Sequence, residues 1–146
     1  MEFILNTLIT VGSFIVLLAI IIGIHELGHF LAARFFNVHV IRFKIGFGKT
    51  LYSKIDNQDT EFSIGLLPLG GYVQMLGETA PQENIGSKDK NTTANKKISY
   101  SDISLGARAV ITAAGPIANF VLAILVYILI FLIGAKELGP FIGEVQ

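Results

Sequence analysis

Two long stretches without any charged residue constrain the fold of this chain more than any other feature. They cover residues 3–24 and 109–135 of the 146 residues. About 20 consecutive apolar residues are enough for a helix to cross the hydrocarbon core of a bilayer, so each stretch can cross once. The composition agrees, because only 15% of the residues are charged, whereas soluble domains average about 25%. We therefore predict an integral membrane protein with two transmembrane helices.

A cleavable signal peptide is the alternative explanation of the first stretch. Signal peptides begin with basic residues, carry a shorter apolar core and end at a small-residue cleavage site. The first stretch follows Met1 and Glu2 without any basic residue, and no such cleavage site follows it. A transmembrane helix is therefore the better interpretation.

The distribution of charge excludes some functions and predicts an orientation. The net charge is zero, which excludes the strongly basic surface of a nucleic-acid-binding protein. The absence of Cys excludes disulfides and thiolate metal sites. Ten of the eleven Lys and Arg residues lie between Arg34 and Arg108. Because positively charged connections stay on the cytoplasmic side, we expect residues 34–108 in the cytoplasm and both termini on the opposite side.

The connection between the two helices divides into a strand-rich part and a polar part. Residues 38–45 alternate in polarity before a break at residues 46–48, and residues 51–55 and 61–66 flank a turn as a hairpin candidate. The segment that follows the β-hairpin region is polar and is predicted to form a loop. The predicted fold class is a mainly α membrane protein, with two transmembrane helices joined by a cytoplasmic-side β-hairpin region and a polar loop. The expected segments are a first helix (1–36), a β-hairpin region (37–76), a polar cytoplasmic loop (77–107), a second helix (108–136) and an extracytoplasmic segment (137–146).

The first helix carries the motif H-E-x-x-H at its predicted cytoplasmic end. On a helix this spacing places His25 and His29 on one face, where two imidazoles can bind one zinc ion. Glu26 then lies beside the metal as the catalytic acid/base. The alternative is a solvated helix end with incidental polar residues. Residues 4–24 rise about 31 Å, which places the motif at the bilayer boundary, where ionisable side chains are costly and usually functional.

The second helix begins with another group of candidate site residues, Gly115, Pro116 and Asn119. Pro116 is expected to break or kink the helix, and freed backbone groups are tolerated only beside protein or a water-filled cavity. If the two helices enter the membrane together, this group lies at a depth similar to that of the His pair. All three are candidates for contacting the metal ligands or the substrate. For Asn119, helix packing through a hydrogen bond is an equally good explanation.

The remaining polar residues are better explained without a site. His39 lies among strand residues and has no motif partner, which is typical of a surface histidine. Asp56, Asp59 and Glu61 lie in or beside the predicted turn, where solvation explains them. Arg108 precedes the second helix and is most simply a cytoplasmic anchor.

Four sequence blocks carry a resemblance to a known family: HELGHFLAARFF, IGFGK, PLGGYVQM and AGPIANF. In this order and spacing they cover roughly residues 1–135 and are far more specific than H-E-x-x-H alone. The chain resembles the bacterial, sigma-factor-regulating branch of the site-2 protease family of intramembrane zinc metalloproteases. The resemblance implies proteolysis of single-span membrane proteins, including anti-sigma factors, within the bacterial inner membrane. It also implies that residues 41–76 form a membrane-associated hairpin that presents the substrate to Zn²⁺, and an exposed strand edge can pair with an extended substrate.

The chain departs from this family at the third zinc ligand. The family supplies an Asp in an L-D-G segment of a later transmembrane helix, and no L-D-G occurs in these 146 residues. A catalytic zinc needs three protein ligands and an open position. We therefore expect the chain to be the N-terminal portion of a longer enzyme and to be inactive by itself. Residues 137–146 resemble the start of the family's PDZ domain on the extracytoplasmic side.

Two other functions are compatible with part of the sequence. A non-catalytic, truncated homologue would bind membrane partners through the hairpin. A transporter would also use broken helices and intramembrane polar residues. A transporter, however, does not explain the H-E-x-x-H spacing.

Overall fold

The structure is a computed structural model that describes residues 1–78 and 97–134. In chain order it contains helix α1 (Glu2–Phe35), strand β1 (Val40–Ile55), strand β2 (Glu61–Met75), a 3-10 turn (Tyr100–Asp102) and helix α2 (Leu105–Ile133). Both helices are long and apolar enough to cross a membrane, and β1 and β2 pair antiparallel. These elements fit the predicted mainly α membrane protein. The expected segment 137–146 and much of the expected polar loop lie outside the described residues.

Helix α1 is longer than a bilayer crossing requires. Its 34 residues span about 51 Å at 1.5 Å per residue, against about 30 Å for the hydrocarbon core. The helix ends where Asn37 adopts a left-handed φ of 56° and the N–H of Val38 bonds to the carbonyl of Ala33 at 2.9 Å. The chain therefore turns directly from the last turn of α1 into the hairpin.

Helix α2 starts at a side-chain cap and runs without interruption past its proline. The hydroxyl of Ser104 accepts a hydrogen bond from the N–H of Ala107 at 3.3 Å, which satisfies one free donor of the first turn. Of the predicted break or kink at Pro116, the break does not occur, since the helix continues through Pro116 over 29 residues. Pro116 lacks one N–H, so the carbonyl of Thr112 loses its usual helical donor while the neighbouring turns persist.

The hairpin is more continuous than the sequence pattern predicts. Strand β1 passes through the expected break because Gly46 and Gly48 adopt φ values of 87° and 79°, which residues with a Cβ rarely do. Residues 42–45 have partners in both 61–64 and 71–74, so they lie inside the sheet. Among the described residues, 71–74 pair only with β1. Residues 71–75 therefore form an edge of the sheet.

The apolar core lies where the end of α1, the hairpin and the start of α2 meet. Its buried members come from all of these elements: Ala33, Val38, Val40, Met75 and Ile111. Phe30, Val73 and Tyr100 pack against them. This small core fixes the His-bearing turns of α1 against both the hairpin and α2.

The hairpin turn is joined to the end of α1 by an ion pair at Asp56, while Asp59 is largely solvated, as the sequence predicts for a turn residue. Burial alone would raise the pKa of Asp56, but backbone N–H donors of Thr60 and Gln58 and the guanidinium of Arg34 lower that pKa below its usual value. The turn is thus attached to the end of α1. Within residues 1–78 and 97–134, the ion pairs are Arg34–Asp56 at 2.9 Å, Arg42–Glu61 at 2.6 Å and Lys97–Asp59 at 2.9 Å.

A close approach of α1 to α2 predicts a stability effect at Gly28. A Cβ on Gly28 would overlap the carbonyl oxygen of Ala114 and lie 2.8 Å from the Cβ of Ala118. We expect Gly28→Ala to lower the free energy of unfolding by about 1–3 kcal/mol through overpacking, measured by denaturant unfolding in detergent. Gly12→Ala on the same helix is the control, because a Cβ on Gly12 would have no other atom within 4 Å. Equal destabilisation by the two substitutions would contradict this interpretation of the helix contact.

Candidate metal centre

The two histidines of the motif converge on one point, as their helical spacing predicts. His25 Nε2 and His29 Nε2 are 3.2 Å apart, and the rings are nearly perpendicular, at 81°. Zinc–nitrogen bonds of about 2.0–2.1 Å at a tetrahedral angle separate two ligand atoms by about 3.3 Å. The two nitrogens therefore have the separation that one zinc ion requires.

The outer nitrogen of His29 is held by a backbone carbonyl of α2. His29 Nδ1 lies 2.8 Å from the carbonyl oxygen of Ile111. A carbonyl can only accept, so Nδ1 carries the proton and Nε2 keeps its lone pair for a metal. The role of Ile111 cannot be predicted from the sequence, because a backbone acceptor leaves no signature in the residue type.

The outer nitrogen of His25 faces Asn119 of α2. The Nδ2 of Asn119 lies 3.3 Å from His25 Nδ1, and the buried Asn119 Oδ1 has no hydrogen-bond partner among the described residues. The two ends of an amide are distinguished by the hydrogen bonds they make. Rotating this amide by half a turn lets Oδ1 accept the proton of His25 Nδ1, which again leaves Nε2 free for a metal. Asn119 is thus placed to orient His25.

Gly115 provides the space in front of the two imidazoles. A Cβ on Gly115 would lie 2.8 Å from His25 Nε2 and would overlap His29 Nε2. The volume that a side chain would fill is therefore the volume that a metal bound to both nitrogens needs. In the sequence Gly115 is a candidate because of the neighbouring Pro116, whereas in the structure Gly115 itself lies against the histidines.

Glu26 lies beside His25 and His29 on α1 and faces the hairpin. A Cβ on Gly71 would be 2.9 Å from the Cγ of Glu26, so the edge of β2 passes directly over this side chain. In the described ranges 1–78 and 97–134, no group of three His, Cys, Asp or Glu side chains could hold a metal. The donor set thus fits zinc with two nitrogen ligands and one nearby carboxylate, and the third ligand has to come from elsewhere.

His39 does not complete this ligand set in the described part of the chain. Its Nε2 lies 3.3 Å from the ammonium of Lys97, beside the hairpin turn. Burial, together with the charges of Lys97 and Arg34, lowers the pKa of His39 below its usual value. His39 lies immediately before β1 and is half-buried, so the predicted surface strand histidine is found beside the strand rather than in it.

Comparison with known proteins finds a protease family and related proteases. Residues 13–145 match the family model described as peptidase family M50. The chain is 46% identical over 141 residues to the regulator of sigma-E protease RseP of Escherichia coli, which covers 97% of this chain and 30% of that protein. It is 45% identical over 141 residues to the regulator of sigma E protease of Salmonella typhi, with the same coverage. It is also 41% identical over 133 residues to a protein named as a zinc metalloprotease from Vibrio cholerae, which covers 91% of this chain and 28% of that protein.

These matches determine the family but not the extent of the whole protein. The chain spans about 30% of the length of the curated relatives that it matches. The family match covers the HELGH motif, the hairpin and α2 together. On this evidence the chain belongs to peptidase family M50, the site-2 protease family.

Proposed function

We propose that this chain is the N-terminal portion of an intramembrane zinc metalloendopeptidase that cleaves transmembrane segments of membrane proteins. The 3.2 Å separation of His25 Nε2 and His29 Nε2, with Glu26 on the same helix, is the observation that carries the proposal. The relatives named as proteases support it. The substrate, the partner proteins and the full activity belong to the whole protein, of which this chain is a part.

In the proposed reaction, the residues of this chain hold the metal and move a proton. His25 and His29 would hold Zn²⁺ through Nε2, while Asn119 and the carbonyl of Ile111 would fix their tautomers. Zinc, when bound, supplies a Lewis acid and lowers the pKa of a water ligand to about 7. Glu26 accepts the proton of the attacking water and donates it to the leaving nitrogen of the peptide.

The edge of the hairpin is the proposed site for the substrate backbone. Residues 71–75 pair with β1 along one side, and Gly71 contacts Glu26. A substrate segment that unwinds into an extended form could pair with this edge, which would bring its backbone next to the catalytic carboxylate. We therefore propose a single-span membrane protein, such as an anti-sigma factor, as the substrate.

The proposed location is the bacterial inner membrane. Residues 34–108 would lie in the cytoplasm, and the N-terminus of α1 and the C-terminus of α2 would lie on the extracytoplasmic side. The clustering of ten basic residues between the helices supports this orientation. Residues 137–146 would then begin the extracytoplasmic PDZ-like domain.

Because the chain has no Cys, a cysteine introduced at the exposed Asn57 in the hairpin turn is a specific probe of this orientation. An impermeant thiol reagent should label it only after the membrane is permeabilised.

Removal of zinc from the complete protein tests the proposed activity. The complete, detergent-solubilised protein is treated with a chelator and mixed with a single-span model substrate, and cleavage is followed by gel electrophoresis. We expect cleavage to fall to the uncatalysed level after chelation and to return with stoichiometric Zn²⁺, because structural and catalytic zinc sites lose their function when the metal is withdrawn. Activity that survives complete metal removal would refute the proposal.

A non-catalytic homologue is the second candidate, because the described residues supply only two zinc ligands. This candidate predicts that the zinc-loaded complete protein binds the same model substrate through the hairpin without cutting it. The experiment above therefore separates the two functions when binding is measured beside cleavage.

A further inference from the structure

Arg108 makes contacts that its predicted role as a cytoplasmic anchor does not require. The residue is half-buried near the start of α2. Its Nη2 donates a hydrogen bond to the carbonyl of Ser101 at 2.7 Å, and its Nε donates to the carbonyl of Ile103 at 3.3 Å. The guanidinium carbon also lies 5.8 Å from the centre of the Tyr100 ring, where a cation is attracted to the aromatic face. A positive charge that only marks the cytoplasmic side needs none of these contacts.

The residues that Arg108 contacts belong to a short connecting segment (residues 99–103) that is bonded to the end of the hairpin. The backbone N–H of Tyr100 donates to the carbonyl of Leu76 at 2.7 Å. The hydroxyl of Ser99 donates to the same carbonyl at 3.0 Å, and the Tyr100 ring packs against the apolar core. The connecting segment is thus fixed to the hairpin, and Arg108 joins α2 to the connecting segment.

Arg108 lies one helical turn before the carbonyl that holds His29. Ile111 follows it by three residues, and the Ile111 carbonyl oxygen lies 2.8 Å from His29 Nδ1. The side chain of Ile111 is buried in the core, so its carbonyl moves only with α2. Because N–H···O hydrogen bonds are about 2.7–3.2 Å long, a displacement of α2 by about 1 Å along this bond would break it. His29 would then lose the contact that fixes its tautomer.

We propose that Arg108 is a positioning residue for the metal, because it joins α2 to the connecting segment and so holds the Ile111 carbonyl at His29 Nδ1. This inference rests on the proposed zinc site. A planar guanidinium can donate to two carbonyls and lie near an aromatic ring at the same time, whereas the ammonium of lysine is a point charge on a flexible chain. The geometry of Arg108, and not its charge alone, therefore matters for the site.

Arg108→Lys separates positioning from anchoring, because lysine keeps the positive charge. The zinc affinity of the complete, detergent-solubilised protein is measured by competition with a fluorescent chelator. We expect the affinity to fall by about 3–10-fold, below the about 10–100-fold that the loss of a directly orienting contact costs. The orientation should not change, so a cysteine at Asn57 should be labelled as it is in the protein with Arg108.

Arg42→Lys is the matched control for the loss of a guanidinium. Arg42 is also half-buried, but its side-chain partners, Glu61 and Tyr72, both lie within the hairpin. This substitution should leave the zinc affinity unchanged. Zn²⁺ is d¹⁰, so Co²⁺ is used in its place for a spectroscopic readout, since the visible absorption of Co²⁺ depends on ligand geometry. The Co²⁺ bands should shift in Arg108→Lys and not in Arg42→Lys, and a loss of stability alone would not shift them.

A second pair of variants loosens the connecting segment from the side of the hairpin. A Cβ on Gly77 would overlap the hydroxyl of Ser99, so Gly77→Ala should displace the segment and lower the zinc affinity as Arg108→Lys does. Gly48→Ala is the control for backbone strain, because both glycines have a φ of 79° and a Cβ on Gly48 would have no other atom within 4 Å. We expect Gly48→Ala to leave the zinc affinity unchanged.

The outcomes separate this inference from the proposed function. If Arg108→Lys keeps either the zinc affinity or the Co²⁺ bands of the unmodified protein, the positioning role is refuted while the zinc site stands. Equal losses of affinity in Arg108→Lys and Arg42→Lys, or in Gly77→Ala and Gly48→Ala, refute it as well. An unmodified protein that binds zinc but cuts no single-span substrate refutes the protease function, and the affinity series still decides the role of Arg108. An unmodified protein that binds no zinc refutes both.

Discussion

Glu26→Gln in the complete protein is expected to abolish cleavage while leaving zinc bound. The glutamine amide has nearly the same size as the carboxylate but cannot accept a proton from the attacking water. General acid–base assistance contributes about 10²–10⁴-fold to a rate, so we expect a loss of at least that order. Zinc content is measured by atomic absorption, and cleavage is measured on a single-span model substrate.

His25→Ala is the matched control for the assignment of Glu26. It removes one of the two nitrogens that converge at 3.2 Å, so both zinc content and cleavage should fall together. The contrast between the two variants separates a proton-transferring residue from a metal ligand. If Glu26→Gln kept normal cleavage, or lost its zinc as completely as His25→Ala, the proposed roles would be wrong.

Gly115→Ala is expected to have the second largest effect, although it adds only one methyl group. The added Cβ would lie 2.8 Å from His25 Nε2 and would overlap His29 Nε2, so it would occupy the volume that the metal needs. Loss of an orienting contact alone lowers metal affinity by about 10–100-fold, and a methyl group against both ligands should cost at least as much. Competition with a fluorescent zinc chelator measures the affinity, and cleavage should fall with it.

Gly106→Ala on the same helix controls for the effect of alanine on the backbone. A Cβ at Gly106 meets nothing within 4 Å, and alanine favours a helix over glycine by about 1 kcal/mol. We therefore expect unchanged zinc affinity and unchanged or slightly higher thermal stability. Normal zinc binding by Gly115→Ala would show that the two histidines do not hold the metal where the structure places them.

The helical part of the fold was predictable because its signals are local. The uncharged runs predicted α1 and α2, and a spacing of four residues is enough to place His25 and His29 on one face of any helix. The paired strands around the 56–59 turn were also predictable from alternation and turn residues. In each case the information lies within a few residues of the feature itself.

The sequence pattern failed where a local breaker was outweighed by its surroundings. Pro116 removes one hydrogen bond, but the apolar turns on both sides keep α2 continuous. Gly46 and Gly48 were predicted to end a strand, yet their positive φ values let β1 bend and continue. Of the acidic residues of the turn, Asp59 is solvated as predicted, with its side chain 75% exposed, whereas Asp56 also pairs with Arg34. Proline, glycine and charged residues indicate only the local backbone preference. The packing of the surrounding residues decides whether the helix or strand ends there.

The sequence by itself determined the two long apolar helices, the hairpin and the residue types of the candidate site, because hydrophobic patterning and residue type are sufficient for them. Only the tertiary structure decided how the site is supported. The carbonyl of Ile111 is 82 residues from His29 in the chain, and Asn119 is 94 residues from His25. No local pattern encodes such contacts, because they depend on how closely α2 approaches α1. The helices approach closely because Gly28 and Gly115 have no side chain. A methyl group on Gly28 would separate the helices, and one on Gly115 would fill the candidate metal site.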